Sequence, residues 1–267
     1  MTLPPAHRYR TIDPNDAALV ERLRVDAFPR SAGYNPRWAL ENLMGPNALW
    51  QTEALCQAMD LQAGMRVLDL GAGKAVSSIF LAEEFGVTVW AAELWTPPGE
   101  NWQRVRAAGQ EARVFPLRVD AHTLPFADGF FDAVVSLDAY HYFGTGDHYL
   151  PYCLRFVRPG GQIGFVSPGL REEWPDDAEV PTHLAAYWTP EHATFHSPEW
   201  WRRHWAKTNL VDVRAADLVP DGWAQWLTWH EVCRDYGYPW YEPEASALRA
   251  DAGQNLGFVR VVARRKA

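Results

Sequence analysis

The sequence predicts an α/β protein built on a doubly wound, mostly parallel sheet. Apolar strand-like runs alternate with helical stretches from residue 65 onward, the arrangement that lays parallel strands side by side with helices on both faces. The first strand also runs straight into a glycine turn that opens a helix. A long segment rich in Pro, His and acidic residues, 168–196, breaks this rhythm and is expected to be an insertion capping one edge of the sheet.

Taken in order, residues 1–64 form a lead-in with a helix expected over Asp16–Ala27 and another where apolar residues recur from Leu49 to Met59. Met65–Leu70 is the first strand, Gly71-Ala72-Gly73 the turn, and the following helix closes at Gly86. Val87–Glu93 is the second strand. Pro97-Pro98-Gly99 introduces a helix through Ala108. The third strand is ARVFPLRV, the fourth Phe131–Leu137, and the fifth QIGFVS after the turn Pro159-Gly160-Gly161, with a helix over 149–157 before it. Ser197-Pro198 starts a helix to about Lys207, with Ser as N-cap and Pro in the first turn. VDVRAADLV gives the sixth strand, Trp223, Trp226, Leu227 and His230 share helical spacing, and LGFVRVVARR is the seventh strand. Residues 65–267 are thus one domain, interrupted by the cap.

Composition narrows the class. With 267 residues and 48% hydrophobic content the chain can bury one large core. No apolar run reaches membrane-span length, and MTLPPAHRYR lacks the apolar centre of a secretory signal. Cys56, Cys153 and Cys233 are odd in number and widely spaced, which suits a reducing cytoplasm better than a disulfide framework. A net charge of −8 argues against nonspecific nucleic-acid binding. The 14 Trp, 10 Tyr and 12 Phe exceed ordinary needs, so most are core and a few can line a pocket.

The glycine turn carries the first chemical signal, because it lets backbone approach a ligand closely at a helix N-terminus. A dinucleotide fingerprint would require glycine at position 76, where the chain has Val76. Asp69, just before the turn, is expected among the cofactor-binding residues, and Glu93, ending the second strand, is placed to accept ribose hydroxyls. Asp120-Ala121 follows the third strand, suitably placed for an adenine edge.

VLDLGAGKA, WAAELW, RVDAHTLPFADGFFDAVVSLDAYHYF and LRFVRPGGQIGFVSPG together resemble the successive motifs of class I S-adenosylmethionine-dependent methyltransferases of the small-molecule type, over roughly residues 65–167. The resemblance implies a Rossmann-like seven-stranded sheet of order 3-2-1-4-5-7-6 with the seventh strand antiparallel. It also implies S-adenosylmethionine as cofactor: Gly71, Ala72 and Gly73 beside its methionine part, Glu93 with Leu94 at the ribose, Asp120 and Ala121 at the adenine, and backbone near Leu137 at the amino-acid end. Ala75 stands where the family often has a further glycine, implying a tighter turn. The stretch SAGYNPRWALENLMGPNALW resembles the lead-in of small-molecule members, which brings Tyr34 and Asn47 toward the ligand.

Methyl transfer is an in-line displacement at a sulfonium, so positioning the nucleophile is the main task and a general base helps where it carries a proton. Asp138, Tyr140, His141 and Tyr142 follow the fourth strand. His141 is the expected proton acceptor, and Asp138 would orient it or hold a substrate amine, with Tyr140 beside them. His183, His192 and His196 do not form a metal set on this reading, because His196 directly precedes the Ser197 N-cap, and no metal is expected. The expected partner is a small-molecule methyl acceptor, with no nucleic acid and no membrane; oligomeric state is not legible. Two alternatives stand beside this reading: lipid modification like that of cyclopropane synthases, and S-adenosylmethionine binding without catalysis.

Overall fold

The computed structural model describes residues 8–175 and 177–267. Seven strands, β1 (Arg66–Leu70), β2 (Thr88–Glu93), β3 (Val114–Arg118), β4 (Phe131–Leu137), β5 (Val157–Leu170), β6 (Val211–Leu218) and β7 (Leu256–Arg265), form one sheet of order β3-β2-β1-β4-β5-β7-β6. The first five run parallel, and β7 pairs antiparallel with both β5 and β6. The helices among the described residues are α1 (Ala17–Arg22), α2 (Pro36–Glu41), α3 (Ala48–Cys56), α4 (Val76–Phe85), α5 (Pro98–Ala107), α6 (His141–Gly144), α7 (Tyr149–Leu154), α8 (Pro198–Ala206), α9 (Gly222–Asp235) and α10 (Glu242–Asp251).

Local chemistry sets several of these limits. Gly86 closes α4 in the left-handed region at φ 65°, and Ser197 starts α8 by accepting the Trp200 N–H. Apolar burial divides the sheet's two faces. On one, Ile79 and Phe80 of α4 share a core with Leu40, Leu55 and Trp226; on the other, Trp201 and Trp205 of α8 pack with Phe165 and Tyr140.

Four local expectations change. The helix expected over Asp16–Ala27 is only the six residues of α1. The Pro159-Gly160-Gly161 turn lies inside β5, opposite a register shift between Phe131 and Ala133. There the extra residues are absorbed as an irregularity and the strand continues. At its other end β5 runs to Leu170, paired with Leu256, because the ten-residue β7 offers a ladder that long. The segment outside the sheet therefore begins at residue 171, not 168. Helix α10, which the sequence reading left unassigned, packs beside α9.

Candidate active site

The C-terminal ends of β1, β2 and β4, with the stretch just beyond β3, open on a cleft of about 650 Å3. Gly71 and Gly73 sit at φ 79° and 53°, backbone that favours glycine. A β-carbon on Gly71 would lie 2.4 Å from the Ala139 side chain, so the turn fits against the end of β4 only without one. Ala75 starts α4 at φ 61° and is fully buried. Its left-handed backbone explains why a glycine suits that place.

Glu93 fixes the turn to the neighbouring strand. Its Oε2 accepts the Gly73 N–H at 2.9 Å, and its Oε1 accepts those of Trp95 and Thr96 at 2.8 and 3.4 Å. A carboxylate offers about four acceptor directions, so room remains for a ligand hydroxyl. Asp69 plays a different part from the one expected. It is fully buried, takes the hydroxyls of Ser77 and Ser78 at 2.6 Å each, and does not line the cleft. It pins the first turn of α4. Burial raises its carboxyl to about 6 despite those two bonds, and its Oδ1 has no partner.

Asp120 lines the cleft and is held by His122, whose backbone and ring nitrogens lie 2.8 and 2.9 Å from Oδ1; the backbone bond, then the ring bond, keeps its carboxyl below the ordinary range. Leu94, Ala121 and Leu137 line the same cleft. Of the lead-in residues, Asn47 lines it and caps α3 by accepting from Leu49 and Trp50. Tyr34 does not. It is buried against Phe80 with its hydroxyl on Glu84, and Arg10 lies over its ring.

The residues after β4 divide in a way the sequence does not reveal. Asp138 adopts φ 53° and lines the cleft, as does Tyr142, which is 55% exposed. Tyr140 is fully buried, stacked on Phe165 at 4.8 Å and packed against Trp201 and Trp205; its hydroxyl and the Trp205 indole N–H lack well-formed hydrogen bonds. His141 is 1% exposed, with its ring against Tyr142 and Phe195. Burial, with the nearby His192, pushes the His141 imidazole down to about 3. Neither Tyr140 nor His141 lines the cleft, against the expectation of His141 as proton acceptor there with Tyr140 beside it. The left-handed Asp138 turns the chain, and the short α6 then directs residues 140 and 141 into the core and 142 outward. Asp138 carries the opposite shift: burial, then the charge of Glu244, raises its carboxyl well above the usual range.

The three cap histidines have separate partners. His183 Nε2 lies 2.9 Å from Asp251, His192 Nδ1 accepts the Thr189 N–H, and His196 Nδ1 is 2.7 Å from Glu173. Sequence reasoning missed the cleft residues Met44, Gln51 and Glu191, and Glu244 behind them. Gln51 was findable: it follows the Asn47 cap by one helical turn and shares its face.

A model of the methyltransferase domain family matches residues 67–161, from β1 to the bulged start of β5. This stretch of the chain is therefore similar to a methyltransferase domain. Over 121 residues the chain is 33% identical to the methyltransferase GfsG of Streptomyces halstedii, covering 45% of this chain and 44% of that protein. Over 152 residues it is 31% identical to demethylmenaquinone methyltransferase of Mycobacterium marinum, covering 54% and 62%. The chain thus spans about half the length of the curated relatives it matches. Phosphoethanolamine N-methyltransferase 2 of Haemonchus contortus, solved with S-adenosyl-L-methionine, aligns at a TM-score of 0.68 and 18% identity over 94% of this chain and 59% of that one. That likeness establishes the fold, including β6 and β7 outside the matched domain. Among the described residues no helix is long and apolar enough to cross a membrane.

Proposed function

We propose that this protein transfers a methyl group from S-adenosylmethionine to a small molecule bound in the same cleft. One observation carries the reading: Glu93, the Gly71–Gly73 turn and Asp120 converge on one cleft inside the stretch similar to a methyltransferase domain. The residues fit the cofactor. The turn leaves no room for a β-carbon at Gly71, and Glu93 keeps free acceptor directions beside the turn it holds.

S-adenosylmethionine, when bound, supplies an electrophilic methyl on a sulfonium. Glu93 accepts ribose hydroxyls, Asp120 and Ala121 hold the adenine edge with Leu94 beside them, and Gly71, Ala72, Gly73 and backbone near Leu137 border the methionine end. Asp69 acts indirectly, by fixing α4 through Ser77 and Ser78. The acceptor occupies the remainder of the cleft, bordered by Asp138, Tyr142, Trp229 and Glu191. Asp138 is the proton acceptor in this reading, in place of His141: a carboxylate held above its ordinary range is a better base near neutrality, whereas an imidazole at about 3 is a poor one. Glu191 and Thr194 of the segment after β5, and Met44 of the lead-in, help to close the site over the acceptor.

Incubation of the purified protein with S-adenosylmethionine and a panel of nitrogen, oxygen, sulfur and carbon nucleophiles tests this. The expected result is acceptor-dependent release of S-adenosylhomocysteine. Tight binding of S-adenosylhomocysteine with no turnover across the panel would favour binding without catalysis.

A further inference from the structure

The acceptor half of the cleft has a chemistry of its own. Asp138 and Glu191 line it, and Glu244 of α10 stands close enough for its charge to act on Asp138, Tyr142 and Tyr187. Among the described residues that line the whole cleft, Lys74 is the single Lys or Arg, and it lies on the glycine turn, in the cofactor half. Glu244 faces His230 Nε2 at 3.4 Å, but among the described lining residues no Lys or Arg stands in the acceptor half beside Asp138 and Glu191.

Aromatic faces accompany that charge. Trp229 and Tyr142 line the cleft, and one residue couples Trp229 to Asp138. The Gly45 carbonyl accepts the Trp229 indole N–H at 2.9 Å, and a β-carbon on Gly45 would stand 2.4 Å from Asp138 Oδ2. Carboxylate and indole thus both pack against Gly45. A separate observation also calls for a ligand: Gln51 is 3% exposed, lines the cleft, and its Nε2 has no hydrogen-bond partner. A buried donor left unpaired costs about 1–3 kcal/mol, which a ligand oxygen would relieve.

A half-buried carboxylate with no Lys or Arg beside it, next to ring faces, binds cations by charge pairing and by the ring quadrupoles. We infer that the acceptor carries a cationic nitrogen, held by Asp138 and Glu191 against Trp229 and Tyr142, together with an oxygen that accepts from Gln51. This inference rests on the methyltransferase reading of the same cleft. The nitrogen is a recognition group, and the atom methylated need not be the one recognised.

Calorimetry on the protein loaded with S-adenosylhomocysteine tests it, with choline as probe against its uncharged isostere, in which a tert-butyl group replaces the trimethylammonium. Choline binds at least about tenfold more tightly than the isostere, equivalent to ~1.4 kcal/mol. Asp138→Asn, whose new residue tolerates the left-handed backbone, removes that preference and leaves S-adenosylhomocysteine affinity within about twofold. Gly45→Ala does the same by displacing the carboxylate. Gln51→Leu weakens both probes alike, since both carry the hydroxyl. Equal binding of the two probes, no choline binding to the loaded protein, or an Asp138→Asn loss shared equally by S-adenosylhomocysteine overturns the inference. Failure of S-adenosylhomocysteine itself to bind removes the methyltransferase reading and this inference with it, whereas its normal binding without choline removes the inference alone.

Discussion

Glu93→Gln separates the two tasks assigned to this carboxylate. In the protein Oε2 takes one backbone N–H, that of Gly73 at 2.9 Å, and Oε1 takes two, from Trp95 and Thr96. An amide keeps only one oxygen. Keeping it at Oε1 saves two bonds and turns an NH2 group toward the Gly73 N–H, leaving two donors face to face. A hydrogen bond to a charged acceptor contributes ~2 kcal/mol, and Glu93 is 6% exposed, so water does not replace it. The free protein is expected to lose ~2 kcal/mol of stability, lowering its melting temperature by about 4 °C for a chain of this size. Cofactor binding loses a ribose acceptor at the same oxygen and a firmly held turn, a further ~2 kcal/mol. The dissociation constant for S-adenosylhomocysteine should therefore rise about 30-fold or more. Titration calorimetry and thermal unfolding measure the two effects on the same samples. An affinity within about threefold of the parent refutes the placement of the ribose at Glu93.

Asp69 makes stability depend on pH with a definite sign. Its carboxyl lies near 6 in the fold against 3.8 outside it, so its favourable contribution is complete below about pH 4 and is lost as pH rises through 6. The two values differ by ~3 kcal/mol. The melting temperature of Asp69→Asn relative to the parent should climb between these pH values, and a flat difference contradicts the assignment. His141→Phe keeps a ring in the core and removes a buried nitrogen without a partner, so kcat/KM is expected to stay within about threefold; a hundredfold loss would restore His141 as the base. Ala75→Gly relieves a left-handed alanine, a gain of ~1–2 kcal/mol, against about 0.8 kcal/mol for the buried methyl it removes. Denaturant unfolding should show a net change of at most about 1 kcal/mol toward stability, and a clear destabilisation would mean that the methyl packs better than the backbone suffers.

The fold, and the gathering of Gly71, Gly73, Glu93 and Asp120 at one cleft, were largely legible because their signals are local in the chain. Strands buried inside a sheet are continuous apolar runs, so the parallel β1 and β4 and the antiparallel β7 lie within a residue of their expected limits. Gly71, Gly73, Glu93 and Asp120 each stand in or just after a strand end, where topology alone brings them to one edge. The half of the cleft proposed for the acceptor follows other rules. It is assembled from the lead-in, the loop after β4, the segment after β5 and α9, with Glu244 of α10 behind, pieces remote in sequence and joined only by packing. Residues 138–142 show the difficulty most clearly. A single left-handed residue resets the rotational phase of the chain, and no periodicity carried forward from β4 tells which of Tyr140, His141 and Tyr142 turns inward. Helix α10 escaped because its Glu- and Pro-rich start and mixed apolar positions resemble an exposed loop.

The central claim is that this cleft binds S-adenosylmethionine and its product. Titration of S-adenosylhomocysteine into the purified protein tests it most directly. One site per chain is expected, with a stabilisation of ~2.7 kcal/mol when ligand is present at a hundred times its dissociation constant. No heat of binding and an unchanged melting temperature at millimolar ligand would contradict it.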